Sequence, residues 1–282
     1  MTDPLDIDTF AAQLRVYDPD RFLTARFAPK ASRSALTILY AFNAELARVC
    51  DTVSEPALGE IRLQWWRDAL EGTEGTAVTG APLGDALARM VATLGLPIHL
   101  LLGMVDARSA DLDDGGFADL QALKAYLYKT DGALFALSAH ILGTASGQLA
   151  KTANTAGVAY GVARLLRFLP RDAAAGRIML PLTMLQSHNV LPERILAGTE
   201  CEGLRDLIVE LSKEAEASLK EARGFLVGER KEVRGIFAPL ALVGAYRRAV
   251  ARPDRRPLHE VADINPLMRF LLLWRAARTG RL

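Results

Sequence analysis

Apolar positions recur along most of the chain at the three- and four-residue spacing of an amphipathic helix. No convincing run shows the period of two that a half-buried strand requires. The pattern predicts helices near 7–15, 18–27, 32–53, 57–71, 83–92, 97–109, 118–142, 148–169, 182–186, 192–197, 201–227, 231–250 and 263–278. Abundant Ala and Leu, both strong helix formers, point the same way. Breakers fall between these segments: "EGTEGTAVTGAPLG" (71–84), "DLDDGGFADL" (111–120), "LPRDAAAGRIMLP" (169–181) and "ARPDRRPLHE" (251–260). None is long enough for a flexible linker, and no internal repeat is found. The expected architecture is one all-α domain over 1–282.

Composition narrows the function classes. Half of the 282 residues are hydrophobic and 24% are charged, enough for a large core. The formal net charge is +1, from 34 basic and 33 acidic residues, without the basic excess of a general nucleic-acid binder. Cys50 and Cys201 stand far apart in apolar helical contexts, which predicts packing residues in a reducing compartment. The opening "MTDPLDIDTF" is acidic and lacks a basic apolar leader. Apolar stretches such as "LGLPIHLLLGMV" are too short to span a bilayer. A cytoplasmic protein is expected, with contact at a membrane surface left open.

The stretch "LYAFNAELARVCDTVSEP" (39–56) carries Glu45 and Asp51 on an expected helix. Six positions amount to about 600° of helical rotation, so the two carboxylates point to different sides and make a poor metal pair. Four segments in order then resemble the squalene/phytoene synthase family. "FLTARFAPKASRSALTILYAFNAE" resembles its N-terminal anchor through Pro29, Arg33, Leu39, Tyr40, Ala41 and Phe42. "LQWWRDAL" (63–70) resembles the Trp-Arg segment that follows. "YLYKTDGALFALSAHILG" (126–143) resembles the helix Tyr-x-Tyr-x-Val-Ala-Gly-x-Val-Gly. "GVARLLRFLPRDAAAGRIMLPLTML" (161–185) resembles the second aspartate-rich helix with its Gly-Arg-x-x-Leu-Pro exit. The resemblance implies a single helical bundle around a deep apolar cavity. It also implies two facing aspartate motifs that hold magnesium against diphosphate, and head-to-head joining of isoprenoid diphosphates.

The chain departs from that pattern at the motifs themselves. Where the first motif reads Asp-Asp-x-x-Asp, the matching positions are Ala47, Arg48 and Asp51. In the second, Phe168 stands for Asn, Arg171 and Asp172 remain, the following acidic pair is missing, and the "AAAGR" loop looks shortened. Pro170 is expected to cut into the helix. Phe135 aligns with a family glycine beside the substrate and is expected to fill space. The residual metal candidates are Asp51, Asp172 and Glu45. Arg164, Arg167 and Arg171 lie at i, i+3 and i+7 on one helix side, with Arg48 opposite and Arg33 in the anchor. Together they form a candidate anion or diphosphate site that needs no metal, since guanidinium forks onto phosphate directly. The competing reading pairs these arginines with Glu45, Asp51 and Asp172 or leaves them in solvent. Tyr40, Phe42, Tyr126, Tyr128, Phe135 and Phe168 are the candidate cavity-lining aromatics, with Tyr126 and Tyr128 facing different sides.

His99, His140, His188 and His259 show no metal-ligand spacing, and "DLDDGG" reads as a turn and helix cap rather than a calcium loop. The C-terminal "INPLMRFLLLWRAARTGRL" reads as a last helix packed on the bundle. Its alternative is an amphipathic helix docked on a membrane or a protein partner. The lost aspartates resemble the branch of the family that contains complex I assembly factors. That resemblance implies a binding or assembly protein for isoprenoid diphosphate, phospholipid or a protein partner, with no cofactor. The alternative is an active prenyl transferase with a rearranged magnesium site.

Overall fold

A computed structural model of the chain describes residues 4–72, 80–113 and 115–282. Its described residues form α1 (Pro4–Tyr17), α2 (Pro19–Phe27), α3 (Arg33–Leu46), α4 (Val49–Thr52), α5 (Pro56–Glu71), α6 (Pro82–Leu94), α7 (Ile98–Ala107) and α8 (Leu120–Leu127). There follow α9 (Ala133–Ile141), α10 (Gly147–Ala174), α11 (Leu182–Ser187), α12 (Pro192–Leu196), α13 (Glu202–Phe225), α14 (Lys231–Ile236), α15 (Leu240–Val250) and α16 (Pro266–Thr279). The starts are written in the sequence. Asp18, Asp119, Ser146 and Asn265 each accept a backbone N–H of the helix they cap. Pro56, Pro82, Pro192 and Pro266 take positions whose N–H has no intrahelical partner. The only β pairing among the described residues is a single parallel bridge, Phe117 with Pro181.

The 28-residue α10 is the central post. It packs against α9, α13 and α15 and carries one core with Leu207, Leu211, Leu242 and Tyr246. A second core joins α3, α6, α7 and α9 through Leu36, Leu39, Leu87, Leu101 and Leu137. Two glycines one turn apart in α10 let a neighbour come close. A Cβ on Gly157 would lie 2.4 Å from the Gly132 nitrogen, and one on Gly161 would lie 2.5 Å from a Leu127 methyl. The neighbour is the turn between α8 and α9.

Three expectations change here. The helix expected over 118–142 is broken by a π-helical turn at Tyr128–Gly132. Such turns shift side chains by a fraction of a helical turn and recur at functional sites. The helix expected over 32–53 stops at Leu46, turns through Ala47 and Arg48, and resumes as α4. The break falls where the family pattern has its first two carboxylates. Pro170, expected to cut its helix, is instead buried inside α10, which runs on to Ala174. Only one turn remains after it, so few bonds are at stake. The Ala175 nitrogen still donates to the Arg171 carbonyl at 3.1 Å. The loop 71–84 lies partly outside the described residues. No helix among them is long and apolar enough to cross a membrane.

Candidate functional site

At one end of the bundle α2, α3, α4 and α10 surround a cavity of about 300 Å³. Its charged lining is mixed: Asp18, Asp20, Asp51, Asp111, Asp131 and Asp172 against Arg48, Arg108, Arg164, Arg167, Arg171 and Arg177. The resemblance implies a deep apolar cavity; this one sets paired charges among apolar residues such as Leu127, Leu165, Phe168 and Met179. Phe135 is fully buried and stacked on Phe237 with ring centroids 5.1 Å apart, and the Arg21 guanidinium lies 4.3 Å from its ring. The Tyr160 ring closes the same space at 5.0 Å from Arg21. The Phe135, Phe237 and Tyr160 rings and the Arg21 guanidinium fill this part of the interior.

The carboxylates of Asp51 and Asp172 face one another across the mouth, and a guanidinium sits between them. Arg177 Nη2 donates to Asp51 Oδ1 at 3.0 Å and to Asp172 Oδ1 at 2.9 Å. Arg171 Nη2 also pairs with Asp51. The short connection after α10 produces this arrangement. Gly176 takes φ +78°, a left-handed turn that glycine adopts without strain. The Arg177 nitrogen then donates to the Asp172 carbonyl at 2.9 Å, which turns the side chain back over the Asp172 carboxylate. Burial holds the Asp172 carboxyl above its ordinary pKa, with Arg177 as the main opposing influence.

Deeper, each carboxylate on the floor is committed to a partner. Asp131, presented by the π-helical turn, accepts from Arg21 Nη2 at 3.4 Å and Arg164 Nη2 at 3.3 Å. Asp111 pairs with Arg108 Nη1 at 2.9 Å and accepts Tyr126 Oη at 2.6 Å. Arg108 also donates to Asn43 Oδ1 at 3.1 Å. Asp20 accepts Tyr160 Oη at 2.8 Å and Tyr246 Oη at 2.7 Å, and pairs with Arg269 Nε at 2.9 Å. Arg167 pairs with Asp263 at 3.0 Å. Asp18 caps α2 through the Arg21 nitrogen at 3.0 Å. Burial and the neighbouring Asp20 raise its pKa to about 6.

The expected site residues divide. Arg48, Arg164, Arg167 and Arg171 all line the cavity, as do Tyr126, Phe168, Asp51 and Asp172. Arg48 stacks 3.6 Å from the Tyr17 ring centroid. Arg33 is elsewhere: it is exposed and donates to the Ala28 carbonyl at 2.9 Å, closing the end of α2. Glu45 turns away to Arg62 at 2.8 Å; the break between α3 and α4, rather than the rotation of one continuous helix, separates it from Asp51. Tyr40 and Phe42 are core residues, the first bonded to Ser138 Oγ at 3.0 Å and the second packed on Trp66. Tyr128 is exposed. Cys50, expected to be a packing residue, lines the cavity half-buried, and burial pushes its thiol pKa up to about 11. The "DLDDGG" turn reading holds for Asp113, which accepts the Gly115 nitrogen at 3.0 Å, but Asp111 belongs to the cavity floor. Asp114 lies outside the described residues.

Sequence reasoning missed Asp18, Asp20, Arg21, Arg108, Asp111, Asp131 and Arg177. Two signals were available: Asp131 is the lone acid in an apolar segment, and "YDPDRF" puts three charges at one helix start. The fit to magnesium is poor. The ion needs carboxylates free to ligate in near-octahedral geometry, and here guanidinium groups already hold them. No group of three His, Cys, Asp or Glu side chains converges among the described residues.

The all-α bundle with its polar end cavity is an isoprenoid-synthase type of fold. The structure of squalene synthase HpnC from Alicyclobacillus acidocaldarius superposes with TM-score 0.74 at 21% identity, over 90% of this chain and 95% of that one. The squalene/phytoene synthase profile matches residues 14–268, and the chain belongs to that family. Human "NADH dehydrogenase (ubiquinone) complex I, assembly factor 6" is 31% identical over 266 residues, 93% of this chain and 80% of that protein. Phytoene synthase of Thermus thermophilus is 27% identical over 234 residues, 81% of this chain and 77% of that protein.

Proposed function

We propose that the chain is one squalene/phytoene synthase-like domain that has exchanged magnesium-dependent prenyl transfer for an assembly-type role on NADH dehydrogenase complex I. Its cavity mouth then takes the phosphate end of an isoprenoid diphosphate or phospholipid without a metal or other cofactor. The observation that carries this reading is Arg177 bridging Asp51 and Asp172 at 3.0 and 2.9 Å. A guanidinium is a permanent cation in the position where a prenyl transferase needs an exchangeable one. Arg171, half exposed, and Arg48 stand at the rim, able to turn from their present partners to a phosphate. Similarity to the human assembly factor over 93% of the chain supports the assembly role. The compartment we propose is the cytoplasmic side of a membrane.

Prenyl transfer with a rearranged site would need Glu45, Asp51 and Asp172 to act together. Glu45 is instead committed to Arg62, and the other two share Arg177. The purified protein, incubated with farnesyl or geranylgeranyl diphosphate and magnesium, is expected to yield no head-to-head C30 or C40 product in the organic extract. Such a product overturns the reading. Diphosphate binding in EDTA is expected to fall at least about tenfold in Arg48→Ala with Arg171→Ala, and unchanged binding removes the anion site. Deletion of the gene in its source cell, followed by measurement of complex I in the membranes, tests the assembly role separately.

A further inference from the structure

The outer face of α16 is apolar. Leu267, Phe270, Leu271 and Trp274 stand at i, i+3, i+4 and i+7 and are each between 41 and 64% exposed. Helical rotation gathers them within about 100° of arc. Single exposed apolar residues are ordinary on a protein surface, whereas a contiguous stripe with two aromatic rings marks a contact.

The opposite face fixes the stripe in place. Arg269, Leu273 and Ala276 are buried. Arg269 reaches Asp20 of α2 at 2.9 Å and Asp263 at 2.6 Å. The Phe270 ring meets Phe27 edge-on at 5.4 Å between centroids. The stripe is therefore held outward by a buried ion pair and a ring contact.

The charges on α16 select the occupant. The helix contains no Asp or Glu. Arg275 and Arg278 are exposed in its last turns, and Arg278, four residues after Trp274, continues the apolar face. An apolar stripe ending in guanidinium groups complements an anionic bilayer. Rings and leucines enter the boundary between headgroups and acyl chains, and the arginines meet lipid phosphates. A second copy of the chain is a weaker fit. The stripe offers on the order of a few hundred Å², against about 800 Å² per partner in a stable interface. We infer that α16 is an interfacial docking helix that holds the protein on an anionic bilayer surface. None of the outward-facing residues Leu267, Phe270, Leu271, Trp274, Arg275 and Arg278 lines the cavity; Asp20, beneath the helix, is shared with its floor.

Flotation of the full chain with phosphatidylcholine vesicles, and with vesicles in which about a third of the lipid is phosphatidylglycerol, tests this. The expected result is strong binding to the anionic vesicles alone, weakened by high salt. Phe270→Ser with Trp274→Ser is expected to cut binding roughly tenfold or more, as is Arg275→Gln with Arg278→Gln. Phe270 also touches Phe27, so Leu267→Ser with Leu271→Ser provides a second stripe variant whose melting temperature should match the parent. Absence of flotation, equal flotation on neutral vesicles, or unchanged flotation of both stripe variants overturns the assignment. So does a dimer in sedimentation equilibrium that the stripe variants dissociate, which would give the face to a second copy.

Discussion

Replacing Arg177 by Met removes the cation between Asp51 and Asp172 while keeping most of the side-chain volume. Arg177 is 9% exposed at its side chain, Asp172 18% and Asp51 24%. Deleting one partner of a fully buried pair costs about 3–5 kcal/mol, because the remaining charge is left without compensation. These carboxylates keep some solvent, and Asp51 retains Arg171, so the expected loss is about 2–3 kcal/mol. At an unfolding entropy of about 2.1 cal/mol/K per residue, that corresponds to roughly 4 °C in melting temperature for a chain of this length. The deficit should depend on pH. Burial already raises the Asp172 pKa in the folded protein, and Arg177 opposes that rise. Without Arg177 the folded pKa climbs further above the unfolded value, so the folded state binds the proton more tightly. The penalty is then fully present above the folded pKa and is relieved as pH falls through it. Melting curves at pH 8 and pH 5 should therefore show a larger deficit at the first than at the second. A variant that melts within 1 °C of the parent at pH 8, or shows the same deficit at pH 5, refutes the idea that Arg177 stands in for the ion.

Phe135→Ala should cost about 3–5 kcal/mol, since the ring is fully buried and its site is braced by Phe237 and Arg21; the guanidinium midpoint measures it, and a small loss would mean that the interior collapses freely. Tyr246→Phe removes a hydroxyl that donates to the buried Asp20 carboxylate and should cost about 1–3 kcal/mol by the same assay. Asp18→Asn keeps a capping oxygen but removes a carboxyl whose pKa is raised to about 6 by burial and Asp20. Its charged form is penalised in the fold, so parent stability should rise as pH falls through 6, and the Asn variant should gain stability at pH 8 and lose that slope.

The helices were legible because their period is dense, and their starts because Asp, Ser, Asn and Pro sit where local backbone chemistry demands them. The departures from regularity were not. Ala47 and Arg48 are good helix formers, so nothing local announces the turn that ends α3 before α4. The π-helical turn at Tyr128–Gly132 depends on the close approach of α10 through Gly157, a contact between segments far apart in sequence. Pro170 misled for the opposite reason: a local rule was applied where only one helical turn remained to be lost. The site was half legible. The arginine stripe follows from spacing alone, and all three of its members line the cavity. Their partners Asp131 and Asp263 stand 33 and 96 residues from Arg164 and Arg167, beyond the reach of periodicity.

Arg177 shows how such a site can change its chemistry with small edits. The family resemblance implies a longer acidic loop before the exit arginine. Here only Ala173 to Gly176 separate it from Asp172, and a left-handed glycine turns it back. Shortening a loop carries little entropic cost, yet it moves a cation that cannot be deprotonated onto the last carboxylates of both motifs. Without a cation between them, the Asp51 and Asp172 carboxylates would repel each other. A tethered guanidinium settles that repulsion permanently and keeps the two helices together with no ligand bound.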